Sequence, residues 1–285
     1  MLQLGLRFVK RFAILVPGIL ITIFSVRNVF PYFDNRLPQA LAIFLTYVVT
    51  AYVLIPAIIR LIRIVWPPTH LPLYCITPDG FASDPLNIAL IGTRREIIMA
   101  MEKAGWYMAD PHNSIRNTAR HVLSTIMKWQ YLTAPVSSLF LFGRKQDLAF
   151  QLPIKGESSD NRHHVRFWAT TFDDRKELHV NTIHWHKREA QILSDKLLWV
   201  GAASRDVGIS PIRHNFQLTH MIAPDTNGER ELIISDLHRS GLVDTVHRVK
   251  LGEPYKLINR AFRGQLHTDG IMTVVKLKVN AKTKA

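Results

Sequence analysis

From Leu37 to Ile59 the chain reads LPQALAIFLTYVVTAYVLIPAII, an uncharged run whose polar interruptions are Gln39, Thr46 and Thr50. A bilayer core offers no water to backbone amides, so an uncharged segment of about 20 residues is stable there as a helix. In water the same segment is an aggregation hazard. Immediately upstream, Phe12 to Phe33 reads FAILVPGILITIFSVRNVFPYF, a second run of bilayer length interrupted near its end by Arg27 and Asn28. Arg7, Lys10 and Arg11 precede it as in a signal peptide, but Val26, Arg27 and Asn28 stand where a small-x-small cleavage site belongs. The two runs predict a transmembrane helical hairpin over residues 1–66, with spans at about 12–33 and 37–59. Tyr32 and Phe33 suit the interface, and Trp66 marks the exit before Pro67-Pro68 stops the helix. Arg7, Lys10, Arg11, Arg60 and Arg63 outnumber Arg27 and Arg36 of the connecting loop, which places both termini in the cytoplasm.

The whole chain has 285 residues, 36 Lys and Arg against 22 Asp and Glu, a net charge of +14 and a single cysteine, Cys75. One cysteine makes neither an intrachain disulfide nor a cysteine-based zinc cluster. An apolar fraction of 47% excludes a disordered chain. Residues 1–66 hold seven basic and one acidic side chain; the remaining 29 basic and 21 acidic groups leave the rest at +8. A basic domain tethered at a bilayer is drawn to anionic lipid, so membrane lipids are the expected partners, with Arg60, Arg63, Lys276, Lys278, Lys282 and Lys284 as candidate contacts. No nucleic-acid-binding motif is present, and nucleic acid is not the expected partner.

Residues 67–83 are rich in Pro, Gly and small polar residues and read as a linker. One soluble domain of about 200 residues, 84–285, is expected beyond it. Asn87 to Ile91 reads as a strand, and Thr93-Arg94-Arg95-Glu96 has capping-box spacing ahead of a helix that Gly105 closes. A surface helix is predicted over 114–128. Strand-like runs follow at 139–142, 148–152, 165–171, 179–185, 197–203 and 216–221. A helix opening at Thr226 and ending by Gly241 precedes strands at 245–249 and 271–279. Strands and helices in this mixed order give an α+β fold: the two-helix transmembrane hairpin followed by one mixed α+β soluble domain.

Phosphate-cradling loops, H-E-x-x-H and G-x-S-x-G are absent. The polar clusters that remain are short. In Arg162 to Trp168, read as a strand, His164, Arg166 and Trp168 share one face and His163, Val165 and Phe167 the other, so His164 and Arg166 suit an anion or a general base. Thr219, His220, Asp225, Glu229 and Arg230 gather where a strand end turns into a helix. His220, Asp225 and Glu229 are the types for acid–base work or a metal, although helix capping explains both carboxylates equally well. Arg144 and Asp147 sit in a turn, as an ion pair or a polar grip. Asp206 ends a run of small residues and could orient His164 or His220. The candidates are thus His164, His220, Asp225 and Glu229 for catalysis, and Arg144, Asp147, Arg166, Asp206, Thr219 and Arg230 for ligand binding. His184 and His186, with His179 upstream, stand at i, i+2 spacing on a strand face compatible with chelation or with a surface strand. No metal or cofactor is identified by these patterns.

Several stretches taken together resemble the LssY C-terminal domain family: Asn87 to Gly92, Ala104-Gly105-Trp106, Ala109-Asp110-Pro111, Thr133 to Ser137, Leu141 to Arg144 with Gln146 to Gln151, Arg162 to Trp168, Trp199 to Ala203 with Arg205 to Gly208, and Thr219-His220 through Pro224-Asp225 to Glu231. They cover roughly residues 84–243. Segment 172–196 is longer than the family's usual connection, and Met221 stands where a second His is common. The resemblance implies a bacterial membrane setting and a link to type I secretion, without a reaction. Two functions follow as expectations. One is an inner-membrane protein whose cytoplasmic domain binds an anionic ligand, a lipid headgroup, or an envelope or secretion partner. The other is a membrane-tethered hydrolase with a His, carboxylate and Arg site, metal-assisted or not.

Overall fold

The computed structural model describes residues 16–58, 61, 71–78, 80–110, 123–124, 127, 131–141, 143–154, 161–171, 184–185, 196–211, 218–258 and 265–278. The chain divides into two compact units, Met1–Pro67 with Pro78–Phe81, and Pro68–Thr77 with Ala82–Ala285.

The first unit holds two helices long and apolar enough to cross a membrane, α1 (Val16–Asp34) and α2 (Gln39–Ile58). Only 11% and 17% of their apolar windows are buried, where a helix from a water-soluble core would be mostly covered. Ile19, Phe24, Phe44 and Val53 point outward about half exposed. Inside the hairpin the buried positions are mostly small: Ser25, Ala42 and Ala51, with Ile21. Small residues let helices approach closely in an apolar solvent. Each helix widens into a π-turn, Ser25–Val29 and Thr50–Leu54, just before Pro31 and Pro56. Those prolines have no N–H to give, and the residues ahead of them, Phe30 and Ile55, bond back five places to Ser25 O and Thr50 O.

The second unit begins within the expected linker. Strands β1 (Tyr74–Ile76) and β2 (Ala82–Pro85) come first, then β3 (Ile88–Gly92), helix α3 (Arg94–Lys103) and β4 (Tyr107–Met108). The short hairpin β5 (Phe140–Leu141) and β6 (Arg144–Lys145) precedes β7 (Leu148–Pro153), β8 (Asn161–Thr171), β9 (His184–Trp185), β10 (Leu197–Pro211) and β11 (Leu218–Ile222). Helix α4 (Thr226–Arg239) is followed by β12 (Val243–Lys250), β13 (Tyr255–Ile258), β14 (Gln265–Thr268) and β15 (Ile271–Leu277). The main sheet runs β12-β15-β3-β10-β8-β7-β4, with β11 added to β10 and β9 to β8. A second sheet runs β2-β1-β5-β6, and β13 pairs with β14. Among the described strand pairs β15–β3 is parallel and the others are antiparallel. The architecture is α+β, as the mixed order predicts. The helix expected at 114–128 and the strand at 179–185 fall largely outside the described residues.

Strand alternation explains the two-sided core. Leu90, Val165, Phe167 and Trp199 pack one sheet face against Ile97, Met101, Ile233 and Leu237 of the helices. On the other face Trp168, Leu198, Val200 and Val274 meet Cys75, Leu86 and Leu141 from the small sheet and its approach. Gly201 stands opposite Phe167, and a Cβ there would lie 2.6 Å from the phenyl ring, so the strand crossing requires glycine. Thr93 and Glu96 form the expected capping box at α3. At α4 the cap is Asp225, one residue earlier than the T-x-x-E spacing suggests. Its carboxylate accepts from Asn227 N (3.0 Å) and Gly228 N (3.2 Å), while Thr226 Oγ1 donates to His267 O instead.

Candidate functional site

The even-numbered face of β8 carries Arg162, His164 and Arg166 into the layer beneath the small sheet, where all three are buried. β10 runs antiparallel beside it, setting Asp206 opposite Arg162 and Ser204 opposite His164. Asp84 descends from β2 and is completely buried. Arg166 Nη1 donates to Asp84 Oδ2 at 2.7 Å, and Ser204 Oγ donates to the same oxygen at 2.8 Å. Ser204 Oγ also lies 2.8 Å from His164 Nε2. The other ring nitrogen, His164 Nδ1, is 3.5 Å from Asp206 Oδ2, which also meets Arg162 Nε at 3.3 Å. His220 Nδ1, on β11, approaches that oxygen to 3.9 Å.

The arginines are held on their far sides as well. Arg162 bonds Gln151 Oε1, Ala134 O and Pro135 O; Arg166 bonds Ser137 through its backbone oxygen and hydroxyl, both at 3.1 Å. Burial pushes the Asp84 carboxyl up, but Arg166, His164 and Ser204 outweigh it and hold the group well below the usual carboxylate range. Asp206 is treated alike: burial raises it, and His164, His220 and Arg162 bring it lower. His220 is depressed by burial, with Asp206 opposing and Arg162 and His164 adding to the effect. Two carboxylates and two guanidiniums therefore stay ionised in the interior, matched in number and hydrogen-bonded, which is the condition for burying charge at all.

Of the candidates read from sequence, His164, His220, Asp206 and Arg166 come together here. The others are elsewhere. Asp225 caps α4; Glu229 pairs with His163 Nδ1 at 2.6 Å, on the opposite sheet face. Arg230 forks onto both oxygens of Asp269, at 2.9 and 3.0 Å, and onto Ile271 O. Thr219 lies in β11 opposite Ser210. Arg144 pairs with Asp147 in the turn as expected, donates to Ala169 O, and leaves Asp147 to accept from Ala169 N at 2.8 Å. Asp84 and Ser204 were not singled out, because polar residues bounded the expected segments there. Among the described residues no group of three His, Cys, Asp or Glu is arranged to hold a metal ion.

A cleft of about 360 Å³ opens at the other edge of the sheet, lined by Arg94, Met108, Asp110, Val136, Lys145 and Asp147 among others. Its two carboxylates are already engaged: Asp147 as above, and Asp110 by Tyr131 Oη and Thr133 Oγ1. Arg94 and Lys145 have no ion-pair partner among the described residues. The family model described as LssY C-terminus matches residues 69–272, most of the chain. The chain belongs to the LssY C-terminal family. No curated protein and no solved structure matches it. The LssY domain thus takes in β1 and the rest of the fold through the start of β15, and with it both the buried network and the cleft.

Proposed function

We propose that this is a membrane-anchored binding protein whose LssY domain holds an anionic ligand between Arg94 and Lys145. One observation carries the reading: a cleft whose acids are satisfied by neighbouring hydroxyls, amides and Arg144, while Arg94 and Lys145 have no ion-pair partner among the described residues. In this reading Arg144 and Asp147 position the turn that presents Lys145, and Arg166 and Asp206 hold the sheet layer behind it. The bias of basic residues around the two spans supports a bacterial inner-membrane location with both termini cytoplasmic, and an accessory role at the envelope or in secretion fits such an anchor. The test is titration of detergent-purified full-length protein with inorganic phosphate. Binding that falls at least tenfold in Arg94→Ala and Lys145→Ala supports the reading, and binding unchanged in both removes it.

A membrane-tethered hydrolase rests on a different observation, the line Ser204–His164–Asp206, in which Ser204 Oγ lies 2.8 Å from His164 Nε2 while Asp206 Oδ2 approaches His164 Nδ1 to 3.5 Å without a hydrogen bond. Access decides against Ser204 as the attacking group: its side chain and that of His164 are buried, and its proton is given to Asp84. His220, with 19% of its side chain exposed, is the member that water reaches. Hydrolysis here would use His220 as base with Asp206 orienting it. Turnover of an aryl phosphate or ester that vanishes in His220→Gln, with phosphate binding intact, would establish this second reading.

A further inference from the structure

We infer that the helix-facing end of β8 and β10 is a second site, separate from the cleft and from the buried network, at which His163 activates water for attack on a phosphodiester held by Arg205. His163 Nδ1 lies 2.6 Å from Glu229 Oε2. The imidazole side chain is 19% exposed, as that of His220 is, and the Glu229 side chain 12%. A carboxylate at Nδ1 keeps the ring proton on that nitrogen, which leaves the Nε2 lone pair to act as base. Arg205 stands directly opposite His163 in the β8–β10 pairing, so the two side chains leave the same face of the sheet. Two places along β8 on that face comes Asn161, opposite Val207. None of these residues lines the cleft.

A tie between α4 and the sheet explains the His163–Glu229 pair by itself. It does not explain the surroundings. Arg205 is half-buried and has no ion-pair partner among the described residues, although the histidine it faces holds a carboxylate, and its Nε is buried without a hydrogen-bond partner. Asn161 Oδ1 is buried and unpartnered as well. Buried polar atoms are nearly always satisfied, so a donor and an acceptor left open beside one imidazole mark a place where something else binds. A guanidinium grips two phosphate oxygens at once, and a single unopposed cation matches the single negative charge of a diester. A water that donates to His163 Nε2 and to Asn161 Oδ1 keeps a lone pair for the phosphorus. Val207, 36% exposed, offers apolar surface to the organic arm of the ester. In the reaction Nε2 takes a proton from water, the water oxygen bonds to phosphorus, and the bond from phosphorus to one ester oxygen breaks with its electron pair. The imidazolium returns its proton to solvent and the alkoxide takes one up, leaving a phosphomonoester and an alcohol. Glu229 touches no reacting atom and is a positioning residue.

The experiment is hydrolysis of bis(p-nitrophenyl) phosphate by the detergent-purified full-length protein, read as release of p-nitrophenolate. In His163→Gln kcat should fall at least about 100-fold. Added imidazole should restore part of the turnover of His163→Ala, which a merely structural histidine would not allow. Glu229→Gln should lower kcat with KM nearly unchanged, and Arg205→Ala should raise KM. Wild-type protein that leaves the diester intact overturns the inference, and so does a rate in His163→Gln equal to that of the wild type. Turnover lost in His220→Gln and rescued by imidazole in His220→Ala, rather than in His163→Ala, moves the base to the buried network and overturns it too. Should the His163 variants fail to fold, the half-exposed Arg205 still decides: an unchanged KM in Arg205→Ala removes the site.

Discussion

Ser204 and His164 face each other directly across the β8–β10 pairing, with Ser204 Oγ 2.8 Å from His164 Nε2. Asp84, held ionised by Arg166, accepts the one hydroxyl proton that Ser204 owns. The imidazole must therefore donate from Nε2 to the hydroxyl, with Nδ1 lying 3.5 Å from Asp206 Oδ2. Removing the hydroxyl strands a buried N–H and one lone pair of Asp84. Ser204→Ala should cost about 1–3 kcal/mol in a denaturant titration of the detergent-solubilised protein, with phosphate binding unchanged. A serine-directed fluorophosphonate should leave the wild type unlabelled, since neither the oxygen nor its proton is available.

Arg166 is the counter-charge on which Asp84 depends. Arg166→Met keeps much of the side chain's length but leaves a fully buried carboxylate whose remaining side-chain hydroxyl donors are Ser204 and Ser83, so a loss of about 3–5 kcal/mol is expected. Adding Asp84→Ala to that variant should recover part of the loss, because the orphaned charge is gone. Equal destabilisation of the double and single variants, measured by the same titration, would mean that Arg166 acts through Ser137 rather than through Asp84.

The network also sets how the domain responds to acid. His220 has a lower pKa folded than unfolded, so as pH falls below about 6.5 the unfolded chain takes up a proton that the native state refuses. Stability should decline over that first limb. Asp84 and Asp206 are depressed as well, and their contribution is complete above about pH 4 and lost as pH falls toward their native values. Melting temperature against pH should therefore fall in two stages, and His220→Gln should flatten the upper stage while leaving the lower one in place.

Much of this was legible in the chain, and the failures share a cause. Alternation at Arg162–Trp168 is enough to put His164 and Arg166 on one strand face, and the small-residue run that Asp206 ends marks it as a group to orient His164 or His220. The strand ends were misjudged where polar residues begin. β8 starts at Asn161 rather than Val165, and β10 continues to Pro211 rather than stopping at Ala203, because Arg162 and Asp206 neutralise each other inside the sheet. A hydropathy pattern cannot register a charge whose partner lies 44 positions away. For the same reason the stretch before Asp84 read as linker, although Leu73 O accepts from Leu86 N and Cys75 Sγ donates to Asp84 O. Arg94 was seen only as part of a capping box, since nothing local announces that the β5–β6 turn will bring Lys145 to the same cleft.

The hairpin offers the last prediction. Thr50 Oγ1 donates to Ser25 Oγ at 2.8 Å, joining the two helices at their π-turns. In hydrocarbon neither hydroxyl has water to fall back on, yet each can return its proton to its own helix, as Thr22 does to Gly18 O and Thr46 to Ala42 O. That escape keeps the contact modest, about 0.6 kcal/mol by comparison with other interhelical hydrogen bonds. Thr50→Val, which keeps the side chain's shape, should therefore loosen the hairpin only slightly, whereas Ala42→Leu forces bulk into a completely buried position and should separate the helices. Cross-linking between cysteines placed one on each helix measures this directly: yield should hold nearly constant in the first variant and collapse in the second. A collapse in Thr50→Val would make the Ser25–Thr50 bond, rather than close packing of small residues, the principal tie between the helices.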